Sequence, residues 1–159
     1  MKTLITGVLA LALMLALAPD PAAAQFADKK ALTLTAAKRV AMAAEAEAMK
    51  NNWRVVIAIV DDGGHLLYLQ RIDETQTGSI DIAIGKAQTA AGLKRSTKMV
   101  EDAVAGGRTA LLGLRGITPL QGGLPIIVDG KLVGAVGVSG VTSQQDEQVA
   151  QAGIEALTK

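Results

Sequence analysis

Apolar residues recur along this chain with two periods, and the switches between them mark its elements. From Thr33 or Thr35 to about Met49, the residues Ala37, Val40, Ala41, Ala44 and Ala48 fall at the spacing of one helix face. A threonine hydroxyl can cap that helix, and Asn51-Asn52 ends it. Arg54 to Val60 then reads RVVIAIV, a β-branched run. Asp61-Asp62-Gly63-Gly64 is turn chemistry, and Leu66 to Arg71 returns as a partner strand, which predicts a hairpin. The first strand is apolar on both faces: Val55, Ile57 and Ile59 on one, Val56, Ala58 and Val60 on the other. Both faces must be covered, by helices, by another subunit, or by one of each.

The second half repeats the alternation. Ser79 can cap a helix running through Lys94, with Ile80, Ile84, Ala87 and Ala91 as its stripe. Ala83 and Ala90 widen the stripe with small side chains, so this helix can approach its neighbour closely. A further helix spans roughly Lys98 to Leu112, interrupted at Gly106-Gly107. Residues 113–123 are rich in glycine and contain Pro119, the signature of a long loop, and such loops tend to be functional. Leu124 to Val128, Asp129-Gly130 and Lys131 to Val138 form a second hairpin with a type I′ turn signal. Gly134 and Gly137 inside its second strand mark close approach by another backbone or a ligand. Ser143 and Asp146 have capping-box spacing and start a last helix that ends near Leu157. The order α-β-β-α-α-β-β-α predicts an α/β (α+β) fold, with an antiparallel sheet and flanking helices.

The N-terminus has a different character. Lys2 is followed by an apolar run from Leu4 to Ala18, a Pro19-Asp20-Pro21 break and Ala22-Ala23-Ala24. These are the parts of a secretory signal peptide over residues 1–24, cleaved before Gln25. The run is shorter than the roughly 20 residues of a comfortable membrane span. Residues 25–159 then read as one domain, periplasmic or secreted, with no stable membrane span. The chain of 159 residues is 50% hydrophobic and 19% charged, enough to bury a core. Its net charge of +1 is spread out, which speaks against a nucleic-acid partner. Cysteine is absent, which excludes disulfides, thiolate metal sites and a cysteine nucleophile. The single histidine, His65, excludes a multi-histidine metal cage, and Phe26, Trp53 and Tyr68 are too few for a stacking platform.

Few residues carry chemistry. Gly85-Lys86 and Gly122-Gly123-Leu124 lack the glycine pattern and helix start of a nucleotide cradle. Ser139, His65 and Asp146 make a triad on paper, but Gly137-Val138-Ser139-Gly140 is half of a nucleophile elbow and reads as a strand exit. His65 sits just past a hairpin turn, so exposure is expected. It is the only imidazole available to a haem iron, with Tyr68 and Met99 the other candidates by atom type. Asp61, Asp62, Asp73 and Glu74 lack calcium-loop spacing and read as solvated turn carboxylates. Arg71 and Asp73 share a face and can pair or hold an anion. Lys86, on a helix otherwise rich in alanine and isoleucine, reads as a snorkelling surface residue or an anion contact.

Taken in order, the motifs are specific: VDDGGH at 60–65, RID at 71–73, GKAQTA at 85–90, GGLPI at 122–126, DGKLVGAVGVSG at 129–140, then Asp146. Over about residues 32–158 the chain resembles the GlcG/HbpS family. The resemblance implies a profilin-like fold and tetrapyrrole binding, haem foremost. Members include a haem-binding, haem-degrading extracellular protein, a glycolate-operon protein and a domain of a corrinoid adenosyltransferase. Arg71, Lys86, Gly122, Gly123 and Ser139 match recurrent family positions and are the expected ligand-binding residues; the resemblance carries over no axial ligand, and His65 is the metal-ligand candidate as the chain's one imidazole. Arg71, Lys86, Arg108 or Arg115 could pair with haem propionates. The alternatives are an enzyme or binding protein for a small carboxylate metabolite of the 2-hydroxy acid class, and an interaction module without a ligand. Whether any reaction is catalysed stays open. A homo-oligomer of even subunit number is expected, because four helices around a sheet of about five strands would leave apolar area bare.

Overall fold

The structure is a computed structural model that describes residues 29–157. The expected signal segment and Phe26 lie outside the described residues. Helix α1, Leu34–Lys50, starts at Thr33, whose Oγ1 accepts from the Ala36 N–H at 3.2 Å, and stops at Asn51. Strands β1, Val56–Asp61, and β2, Leu66–Arg71, form the first hairpin. Arg54 precedes the strand, so β1 starts later than its composition suggested. Helix α2, Ser79–Leu93, has Gly78 rather than Ser79 at its cap, with no side-chain bond there. Ser79 is already helical, and its buried hydroxyl accepts from Gln76 Nε2.

Helix α3, Thr97–Ala105, ends at Gly106-Gly107, and a separate 3₁₀ turn, Thr109–Gly113, follows. The expected interruption is therefore a full break, with Gly107 at φ +97° redirecting the chain. Strands β3, Gly123–Val128, and β4, Lys131–Ser139, are joined through Asp129 at φ 50° and Gly130 at φ 73°, the paired positive values of a type I′ turn. Helix α4, Ser143–Glu155, is capped by Thr142 and Gln145, one residue before the expected pair. Thr142 is still extended while Ser143 is helical. That shift leaves Asp146 free to turn inward.

The sheet has four strands in the order β2-β1-β4-β3, every neighbour antiparallel. One face, with Val55, Ile57, Ile59, Val136 and Val138, packs against Val40, Ala41, Ala44, Val149 and Ala150 of α1 and α4. The other face, with Val56, Ala58, Val60 and Ala135, meets Ala83, Ala87, Ala90 and Ala91 of α2. Residues 55–60 are fully buried within one chain. The two-faced apolar strand thus needs no second subunit, and that argument for an oligomer falls away. The large apolar side chains left exposed among the described residues are elsewhere, at Leu34, Met42 and Met49 on α1, Leu66 on β2, Ile127 on β3, and Met99, Leu112, Leu114 and Leu120.

Close contact between α2 and the sheet depends on Gly137. A Cβ there would collide with the Ala83 carbonyl and come within 2.5 Å of the Ala87 nitrogen, both backbone atoms that cannot rotate away. Ile80 and Ile84 lie half-buried at the margin, and the centre of the contact is Ala83, Ala87 and Ala90. Gly137→Ala should lower unfolding stability by about 3 kcal/mol, the upper range for overpacking. Gly92→Ala, with open space around the added methyl in the same helix, should raise it by up to about 1 kcal/mol. Urea denaturation of both variants checks the pair, and equal stabilities would contradict the packing described.

Candidate functional site

Lys86 lies on the buried stripe of α2, three residues after Ala83 and four before Ala90. Its side chain is 2% exposed. The ammonium donates to Asp146 Oδ2 at 2.7 Å and to the Val138 carbonyl at 2.9 Å. The expected surface role is therefore wrong, because Asp146 from α4 neutralises the charge inside the protein. Asp146 Oδ1 also accepts from the Val141 N–H at 3.2 Å. Burial pushes the Asp146 carboxyl above its ordinary value, while Lys86 and the Val141 and Gly140 amides pull it back.

Two glycines close over this pair. Gly122 has φ +122°, and a Cβ there would lie 2.9 Å from Lys86 Nζ, 2.8 Å from Asp146 Cβ and 2.9 Å from the Val138 carbonyl. Only glycine fits. The Gly122 carbonyl accepts from the Val138 N–H at 2.9 Å. The Gly123 N–H donates to Thr97 Oγ1 at 2.8 Å, and a Cβ at Gly123 would press on Thr97 and the Lys86 backbone. Ser139, 5% exposed, ends β4 beside Val138. Lys86, Gly122 and Gly123 therefore meet in one packed cluster whose cation is already paired, and Ser139 follows Val138 at the end of the strand that borders it.

Arg71 stands apart from this cluster. It ends β2, aligned across the sheet with Val56 and Ser139. Its Nε and Nη2 donate to the Thr75 carbonyl at 2.9 and 2.5 Å and close the turn after the strand. No Arg71–Asp73 ion pair forms among the described residues. Arg71 lines an open cleft of about 440 Å³ with Arg54, Glu45, Asp73 and Glu74. Three carboxylates against two guanidiniums give it no anionic preference.

His65 follows the tip of the first hairpin, its side chain 84% exposed, with Nδ1 3.4 Å from Asp61 Oδ1. Asp61 mainly serves the turn. The His65 and Gly63 backbone N–H groups donate to it at 2.9 and 2.8 Å and hold its carboxyl below the usual range. Ser139 pairs with Val56 at the opposite end of β1, so Ser139, His65 and Asp146 form no triad. Tyr68 is half-buried against the core.

A groove of about 280 Å³ runs between α3 and the 3₁₀ turn. Leu93, Val100, Ala103, Leu111 and Leu114 give it apolar walls, joined by Met99, Arg95 and Arg108. The sequence reading named Met99 and Arg108 separately and missed Arg95. The signal was the three- and four-residue spacing of Met99, Val100 and Ala103 on one face of α3. The donor set fits a tetrapyrrole: apolar surface for the macrocycle, a thioether, and two guanidiniums for carboxylates. Among the described residues, no group of three or more histidine, aspartate or glutamate side chains is placed to hold a free metal ion.

Residues 32–155 match the family described as haem degrading protein, HbpS-like. The protein GlcG of Escherichia coli K12 is 47% identical over 111 residues, covering 70% of this chain and 83% of GlcG. The crystal structure of a double mutant of HbpS from Streptomyces reticuli superimposes with a TM-score of 0.78 at 34% identity, over 84% of this chain and 91% of that one. The crystal structure of a PduOC:haem complex gives a TM-score of 0.73 at 30% identity, over 80% of this chain and 95% of that one.

Removing one partner of the buried pair strands the other. Lys86→Ala should cost about 3–5 kcal/mol of unfolding stability. The pH dependence has a defined sign. The Asp146 carboxyl is raised in the folded state, so its contribution is complete below the ordinary aspartate value, about 3.9. That contribution is lost as pH rises through the raised value. Stability measured against pH, wild type minus Asp146→Asn, should therefore fall across that window. A rising difference would contradict the assignment.

Proposed function

The chain belongs to the HbpS-like family, and on that premise we propose that it binds a tetrapyrrole, haem in the first instance. The observation that carries this reading is its likeness to the PduOC:haem complex over nearly all of that domain. Haem supplies a redox-active iron in a planar apolar ring with two carboxylates. This chain would contribute apolar surface, cationic side chains and an iron ligand, and His65 is the one imidazole it has. The Lys86, Gly122 and Gly123 cluster would act by holding the loop that ends there, since its cation is already paired with Asp146. Arg71 would act at the surface, through the donor capacity its bonds to Thr75 leave free.

A small carboxylate substrate is the weaker reading, because the Arg71 cleft carries more carboxylates than guanidiniums. We further propose that residues 1–24 direct export and that the mature protein works outside the cytoplasm as a homo-oligomer. No helix among the described residues is long and apolar enough to cross a membrane. Ile127, 52% exposed on the edge strand β3, and Leu66, 48% exposed on the other edge strand, β2, are apolar residues placed for a subunit contact.

Hemin titrated into the purified mature protein should give a saturable shift of its Soret band. Free-hemin spectra throughout would overturn the proposal. His65→Ala should alter the spectrum if the imidazole reaches the iron, and an unchanged band would remove that ligand while leaving binding intact.

A further inference from the structure

The groove between α3 and the 3₁₀ turn combines three features found together nowhere else among the described cavities. Its walls are aliphatic, from Leu93, Val100, Ala103, Leu111 and Leu114. Its two cations, Arg95 and Arg108, have no carboxylate within ion-pair distance among the described residues, whereas Arg54 pairs with Glu74 and Lys86 with Asp146. Arg95 uses only Nε, on the Leu93 carbonyl at 3.2 Å, which leaves its other nitrogens free. The acids of α3 are engaged away from the groove. Glu101 accepts from the Gln121 N–H at 2.7 Å, and Asp102 pairs with Lys98 at 2.6 Å. An apolar trough with two uncompensated guanidiniums complements an amphipathic dianion.

Resting on the tetrapyrrole reading above, we infer that this groove seats one edge of the macrocycle, with Arg95 and Arg108 receiving its two carboxylates. The groove is smaller than a whole macrocycle, so the rest of the ring lies outside it. Met99, 58% exposed, then lies against the ring as a polarisable contact and is the one residue of the lining with an iron-binding atom. His65, by contrast, stands on a hairpin tip that lines none of these grooves.

The test uses the mature chain with hemin and with metal-free protoporphyrin IX, which keeps the carboxylates and removes the iron. Arg95→Gln/Arg108→Gln should weaken both ligands by about tenfold or more, the scale of losing charge-assisted bonds. Arg95→Lys/Arg108→Lys should restore much of the binding, and His65→Ala should leave protoporphyrin binding unchanged. Both arginines are exposed and unpaired, so thermal unfolding of the glutamine variant should match wild type. If wild type binds neither ligand, the tetrapyrrole reading itself fails. If wild type binds and the glutamine variant binds equally well, the groove is wrong and the reading stands. If the variant instead lowers the particle mass in light scattering, with binding intact per chain, the groove is a contact between copies and the inference is overturned.

Discussion

A lysine and an aspartate 60 positions apart share one dry pocket, and much of the molecule is arranged around that contact. Taking both charges out of water is costly, and the cost is met only when geometry and remaining bonds are good. Here the ammonium reaches both a carboxylate and the Val138 carbonyl, and the carboxylate also receives the Val141 N–H. The pair ties α2 to α4 across the end of β4. It also requires glycine at 122, because any side chain would occupy the ammonium's own space.

That requirement links the core to the candidate groove. The stretch from Gly113 to Gly123 begins at the 3₁₀ turn that walls the groove and ends against the buried pair. Along its length it is bonded to α2 and α3. The Thr118 N–H donates to Thr89 Oγ1 at 2.8 Å, Thr89 Oγ1 donates to the Gly116 carbonyl at 3.3 Å, and Gly123 is held by Thr97. Gly85 leaves room for Thr118 to sit against α2. A glycine-rich segment that composition alone would make loose is thus held at several points, and Leu111 and Leu114 inherit a fixed position from it.

Most of the fold was legible because its signals are local. The 3.6-residue spacing of Val40, Ala41 and Ala44, the RVVIAIV run and the Asp129-Gly130 turn each specify their own conformation. Caps were misplaced by one residue at Ser79 and Ser143 because neighbouring Gly78 and Thr142 compete for the same role. The candidate site was less legible. Lys86 sits at a buried position of its helix, yet it reads as a surface residue until Asp146 is seen beside it. That partner lies on another helix, and no local spacing announces it. Arg95 was missed for the same reason, since it lies on the link between two helices and meets Arg108 only through the break at Gly106-Gly107.

The central claim is that the buried pair holds the glycine-rich segment in place. Native-state hydrogen exchange on Lys86→Met tests it most directly. The amides of Thr118, Gln121, Gly123 and Val138 should lose protection. The amides joining β1 and β2, which do not touch the pair, should lose only as much as the lower global stability of the variant accounts for, a smaller loss. Unchanged protection at Gly123 and Val138, or an equal loss throughout the sheet, would contradict the account.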